Sequence, residues 1–158
     1  MRKIFGGLLL ACTTIASASP QVAEQEQEAC ALAAQFVSQL KPRLKQAMQE
    51  GGPNRAIEVC ASAAPKIADS LSADSGWQVK RVSLKSRNAS RAIPDSWERA
   101  VLEEFDRRQA AGEAAAQINY GELRGARYRY MQAQGTAGLC LNCHGDQLAP
   151  AVTDTLQK

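Results

Sequence analysis

Ala126-Arg127-Tyr128-Arg129-Tyr130-Met131-Gln132 alternates charged with aromatic or apolar side chains, the pattern of a half-buried strand. Almost everything before it reads as helix, so this stretch turns an all-helical expectation into a mixed one. Upstream, Cys30, Ala33, Ala34, Val37, Leu40, Leu44 and Met48 recur at three- and four-residue steps, marking one face of a helix over residues 22–50. Pro42 is a candidate kink, and Gly51-Gly52-Pro53 ends the helix. Asn54 can cap a second helix on which Ile57, Cys60, Ala61 and Ala64 share a face, interrupted at Pro65 and resuming to Leu71. Residues 77–85 read as another strand, with Trp77 and Val79 on one side and Val82 and Leu84 on the other. Pro94-Asp95-Ser96-Trp97-Glu98 opens a third helix that buries Trp97, Val101, Leu102 and Phe105 and closes at Gly112. The expected fold class is α+β, with long N-terminal helices and a small antiparallel sheet.

Downstream, a Gly135-Thr136 turn leads into Cys140-Leu141-Asn142-Cys143-His144, with Thr136 placed to cap a short helix. This CxxCH box is the attachment signature of haem c. Two thiols three residues apart on a helical turn can reach the two vinyl groups on one porphyrin edge, and the adjacent imidazole then meets the iron. Cys140 and Cys143 are thus the expected thioether residues and His144 the proximal iron ligand. Two other chemistries use such cysteines. A thioredoxin-type pair would sit in a βαβ pattern, which is missing here. A zinc site would draw Cys30 and Cys60 to Cys140 and Cys143.

The compartment agrees with the motif. Met1-Arg2-Lys3 is cationic, Ile4 to Ala16 is uncharged, and Ala16-Ser17-Ala18 offers a cleavage site, so residues 1–18 read as a secretory signal and 19–158 as one domain. The apolar run is too short for a membrane-spanning helix. Leu9-Leu10-Ala11-Cys12 offers a second reading, a lipid anchor on Cys12. The mature protein is therefore expected to be periplasmic or secreted, or lipid-anchored, with no transmembrane span. Losing Arg2 and Lys3 lowers the net charge from +3 to +1, which leaves no broad footprint for nucleic acid. Four mature cysteines facing an oxidising compartment each need an assignment, and Cys30 with Cys60 could be a disulfide or two buried small hydrophobes.

His144 is the only histidine, so a second imidazole ligand from the same chain is impossible. The sixth position falls to Met48, Met131, Cys30, Cys60, a lysine, water, or nothing. Methionine raises a haem potential and thiolate favours the ferric state, so the choice sets the redox range. The residues alone leave thiolate, methionine and an open site in contention.

One further pattern narrows this. Ala56-Ile57-Glu58-Val59-Cys60 with Ala64-Pro65-Lys66-Ile67-Ala68, then Lys80 to Asn88, Pro94 to Glu98, Tyr130-Met131 and Cys140 to Gly145 follow in order. The set resembles a family of single-haem c-type proteins, formerly a domain of unknown function. Its structural type case is a cyanobacterial photosystem-associated protein, and it also serves as the sensory part of membrane signalling proteins. The resemblance covers roughly residues 30–146. It implies a PAS-like fold and iron held between the CxxCH histidine and a distant cysteine thiolate, whose match here is Cys60. Where the family continues Arg-Asn-Pro-x-Asn-x-Pro, this chain reads Arg87-Asn88-Ala89-Ser90-Arg91-Ala92-Ile93-Pro94. Arg81, Lys85, Arg87 and Arg91 are candidate contacts for the haem propionates. The Gly112–Arg127 connection is shorter than the family's, which implies a reduced sheet.

Three functions follow as expectations. The first is redox or small-ligand sensing, in which Cys60 leaves on reduction and CO or NO takes the vacated position. No transmembrane helix or kinase module follows the domain, so the signal passes to a separate partner protein. The second is periplasmic electron transfer. Peroxidase-type catalysis ranks last, because a distal acid–base histidine is missing.

Overall fold

A computed structural model describes residues 19–85, 91–136, 138–145 and 147–157. Helix α1 (Pro20–Ser75) starts at Ser19, whose hydroxyl accepts from the Val22 N–H at 3.4 Å, and Pro20 takes a first-turn position where its missing N–H costs nothing. α1 is not one rod. Gly51 (φ −153°, ψ 18°) and Gly52 (φ 66°, ψ −158°) leave the helical region, and Gly52 adopts a left-handed φ that side-chain-bearing residues avoid. The chain folds back there into two arms. Leu32, Phe36 and Leu40 of the first arm meet Ala63, Ala64, Ile67, Ala68 and Leu71 of the second in a buried cluster. Large side chains on one arm facing alanines on the other let the two backbones approach closely.

The helix break expected at Gly51-Gly52 is present, but Pro42 and Pro65 lie inside helical backbone. Each proline removes one donor. Burial of Leu40 and Ala64 nearby offsets that loss.

Residues 77–85 correct the sequence reading. They run as coil ending in a turn at 84–85, with no strand pairing. The Val79 N–H donates to Ser72 Oγ at 2.9 Å, and the Ser72 hydroxyl lies 3.4 Å from Val79 O, so a side chain of α1 takes both groups a ladder would need. The alternation in this segment reports packing instead: Trp77 and Val79 lean on the first cluster while Gln78 and Lys80 are exposed.

Helix α2 (Ser96–Ala110) opens with a capping box: Asp95 Oδ1 accepts from the Glu98 N–H at 2.8 Å, and Glu98 Oε2 accepts from the Asp95 N–H at 2.9 Å. At its far end Arg108 grips Glu113 at 2.5 and 2.7 Å and donates to Asn119 O at 3.0 Å. This fixes the path through a 3₁₀ turn (Ala115–Gln117) into strand β1 (Asn119–Arg124). β1 pairs antiparallel with β2 (Arg127–Gln132), from Asn119 opposite Gln132 to Arg124 opposite Arg127, joined by the two-residue turn Gly125-Ala126. The second strand stands where the alternation placed it. Its partner β1 escaped the sequence reading. Trp97, Val101, Phe105 and Ile118 form a second buried cluster, with Met131 and Ala133 packed against it.

Two short helices follow, α3 (Gly138–His144) and α4 (Pro150–Leu156), and both lie against α1. Val152 buries α4 onto that surface. The architecture is mixed, helical with a single two-stranded antiparallel sheet among the described residues. No described helix is long and apolar enough to cross a membrane. Residues 1–18, with the expected secretory signal and Cys12, lie outside the described residues.

Candidate functional site

Cys140, Cys143 and His144 occupy positions i, i+3 and i+4 of α3, so one helical face carries all three. The helix has seven residues and closes with the Gly145 N–H on Leu141 O at 2.9 Å. A Cβ at position 145 would stand 2.6 Å from that same oxygen, so the close approach demands glycine directly after His144. Thr136 lies two residues before the first helical position, one short of a capping place. α3 rests on the second arm of α1, where Cys143 Sγ lies 4.0 Å from Pro53 O. Cys140 and Cys143 are half-buried and His144 is exposed.

Cys60 belongs to the same neighbourhood. Pro53, Ala56 and Cys60 follow at three- and four-residue steps along one side of the second arm, the side α3 stands against at Pro53. Cys60 is half-buried, and burial pushes its thiol pKa up; the Arg81 guanidinium draws it down and Cys140 pushes it up again. Cys60 thus feels an arginine of the 77–85 segment and a cysteine of another helix. Arg81 also lies over the Phe36 ring, 5.8 Å from its centroid.

The other candidates are scattered. Lys85 is exposed on the turn, and Arg87 lies outside the described residues. Arg91 is committed to Asp69 on the second arm at 2.5 and 3.2 Å. Met131 packs against the second cluster, and Met48 is half-buried on the first arm just before the break. Cys30 is an exposed thiol beside Tyr130, whose phenol is pushed up by burial and then by that cysteine. Cys30 and Cys60 form no disulfide, and among the described residues no three of His, Cys, Asp and Glu converge as a zinc site requires.

Sequence reasoning passed over one buried group. Glu98 is 4% exposed. Its carboxylate receives Lys80 Nζ at 2.9 Å and Arg129 Nη2 at 3.2 Å, while Arg129 also reaches Asp95 at 2.8 Å and stacks 4.2 Å above Trp97. The Trp97 indole donates to Glu122 Oε2 at 2.6 Å. This network pins the 77–85 segment, and with it Arg81, to α2 and β2. The Asp-x-x-Glu spacing at 95–98 was the available signal, read only as a helix start.

Two grooves of about 270 and 350 Å³ run elsewhere, one lined by Arg43, Ala47, Arg55 and Val59, the other by Glu28, Leu32, Gln39 and Leu71. Neither groove is lined by Cys60, Cys140, Cys143 or His144. Those donors fit a covalently held haem: two thiols and an imidazole on one short helix, with a further thiol from a neighbouring element.

No curated protein and no solved structure matches the chain. A family model described as Tll0287-like matches residues 12–158, which takes in both arms of α1, Cys60 and the CxxCH helix. The chain belongs to the Tll0287-like family.

Proposed function

We propose that this protein carries one haem c, tethered through Cys140 and Cys143 and ligated by His144 and Cys60, and that it works in redox or small-ligand sensing in an exported compartment. The observation that carries this reading is the α3 face bearing Cys140, Cys143 and His144, which rests on the arm of α1 that carries Cys60, with Cys143 Sγ 4.0 Å from Pro53 O. The family membership is compatible with it.

When bound, the haem supplies a one-electron iron couple. The chain supplies everything else. Cys140 and Cys143 hold the group by thioethers, and His144 presents its imidazole from the same helical face. Cys60 offers its sulfur from the opposite element; burial holds its thiol above the ordinary value, and the Arg81 charge partly counters that. The contact of Cys143 with Pro53 sets the spacing between α3 and α1. Cys60 would be the residue released, as a protonated thiol, on reduction of the bound group, and a small gas such as CO or NO would be the class of ligand taken in its place. The resemblance to a family of single-haem c-type proteins, whose domain also serves as the sensory part of membrane signalling proteins, supports this reading. The signal passes to a separate redox or signalling partner. Periplasmic electron transfer is the second reading, favoured by the exposure of His144 at the surface. We read the chain as non-enzymatic, since its single histidine is engaged as proximal ligand.

Ferric EPR and redox titration test the assignment. The wild-type spectrum is expected to be low-spin with thiolate character. Cys60→Ala is expected to raise the midpoint potential by on the order of 100 mV, within the ~0.8 V span that axial ligands command. A methionine-type spectrum, or a potential unchanged by the substitution, removes Cys60 from the iron.

A further inference from the structure

The hairpin has one edge that the other described elements leave open. Ile118 O accepts from the Ala133 N–H at 2.9 Å, and Arg124 stands opposite Arg127 beside the two-residue turn. Backbone bonding alternates along an antiparallel pair, so Ile118, Tyr120, Glu122 and Arg124 bond inward to β2, while Asn119, Gly121 and Leu123 turn their N–H and C=O groups outward. Asn119 O is taken by Arg108 at 3.0 Å. No backbone group of another described element reaches the outward groups of Gly121 or Leu123. Open edges are usually blunted by lysine, proline or a bulge. β1 has none of these in its unbroken register, and it exposes Tyr120 at 42% and Leu123 at 51%. Its charges are unmatched too. Arg124 and Arg127 oppose each other directly, which costs stability, and Glu122 shares a face with Arg124. Among the described residues none of these three has an ion-pair partner.

We infer that β1 recognises a second copy of this chain, the two strands pairing antiparallel about a two-fold axis at Leu123 to make one sheet across a dimer. The register follows by elimination. Pairings centred on Tyr120 or Gly121 need Asn119 O, which Arg108 already holds. Pairings centred on Glu122 or Arg124 set a charge against its own copy. Centred on Leu123, the two leucines meet at the axis, and Glu122 of each copy faces Arg124 of the other, so both attractive pairs form by symmetry. Arg124 then has the acidic partner that its own hairpin denies it. The ladder is short, so the association belongs to the weak, concentration-dependent class. It rests on the hairpin and is independent of the haem reading.

Sedimentation velocity of the full chain over a wide concentration range is the test, with far-UV circular dichroism to confirm that each variant is folded. Wild type is expected to pass from monomer to dimer as concentration rises, and less readily at high salt. Leu123→Pro removes an N–H that faces away from β2, which an edge strand tolerates, and is expected to abolish the dimer. Arg124→Glu relieves the opposition to Arg127, so it should fold at least as well as wild type, yet it sets like charges across the axis and should weaken association by about tenfold or more. Glu122→Lys should weaken it in the same way. Mixed together, these two charge variants regain both attractive pairs and are expected to form a heterodimer. A wild type that is monomeric at every concentration overturns the inference and leaves the edge to a different partner. A dimer that survives Leu123→Pro, or charge variants that stay apart on mixing, overturns it as well.

Discussion

At the scale of single residues, the chain separates what a local motif reveals from what only folding assembles. Cys140, Cys143 and His144 were legible because their chemistry depends on spacing within one helical turn. Cys60 lies 80 positions away and was singled out from the other candidates only by the ordered resemblance; the structure puts it on the arm of α1 that α3 contacts at Pro53. Glu98 was not legible as a buried group. The Asp-x-x-Glu spacing announces its part in the cap, but Lys80 is 18 positions before it and Arg129 comes from another element, so the cation pair that accompanies its burial is not written locally. Removing the Glu98 carboxylate takes away the anion that Lys80 and Arg129 share, leaving Arg129 with Asp95 alone, and leaves the Asp95 N–H unmet. Glu98→Ala is expected to cost about 2–4 kcal/mol in urea unfolding, and Glu98→Gln less, because the amide oxygen still accepts from Asp95. A cost within ~0.5 kcal/mol for the alanine variant would show that the network is ornamental.

Elements were read well where periodicity and burial coincide, and poorly where pairing decides. The two arms of α1, α2 and β2 each carry their own pattern. β1 does not: Gly121 interrupts it and it lacks β-branched residues, so its strand character comes from lying opposite β2. Residues 77–85 show the converse, since their alternation is real but Ser72 takes the Val79 backbone. Two predictions belong here. Gly52→Ala forces a side chain into a left-handed φ of 66° at the break between the arms and is expected to destabilise by about 1–2 kcal/mol. Asp95 is held below its ordinary value, first by the Glu98 N–H and then by Arg129. A depressed carboxylate contributes above its unfolded pKa and loses that contribution as pH falls through the folded one. Asp95→Asn keeps the cap without the charge, so its stability deficit relative to wild type should be constant above about pH 5 and should shrink below about pH 4. A deficit that does not change with pH contradicts that role.

Across the whole molecule, two buried clusters divide the work. The first joins the arms of α1, and the second joins α2 to the hairpin, while α3 contacts α1 at Pro53. The Lys80–Glu98–Arg129 network ties them together, and the arginine that neighbours Cys60 sits on the tied segment. The fold class was legible because composition and periodicity report layers. The reduced sheet was expected from a short Gly112–Arg127 connection, and its two strands fill that stretch and the residues just after it. A tethered haem stays on the unfolded chain, but its ligation by Cys60 across α1 and α3 would be made only in the folded state, so haem attachment should raise the thermal midpoint over the unloaded chain. The most direct measurement is the intact mass and visible spectrum of the full chain matured in a host that attaches haem c. One haem added per chain, with a Soret band that survives denaturation, is the predicted result. A colourless protein whose mass shows no haem contradicts the account.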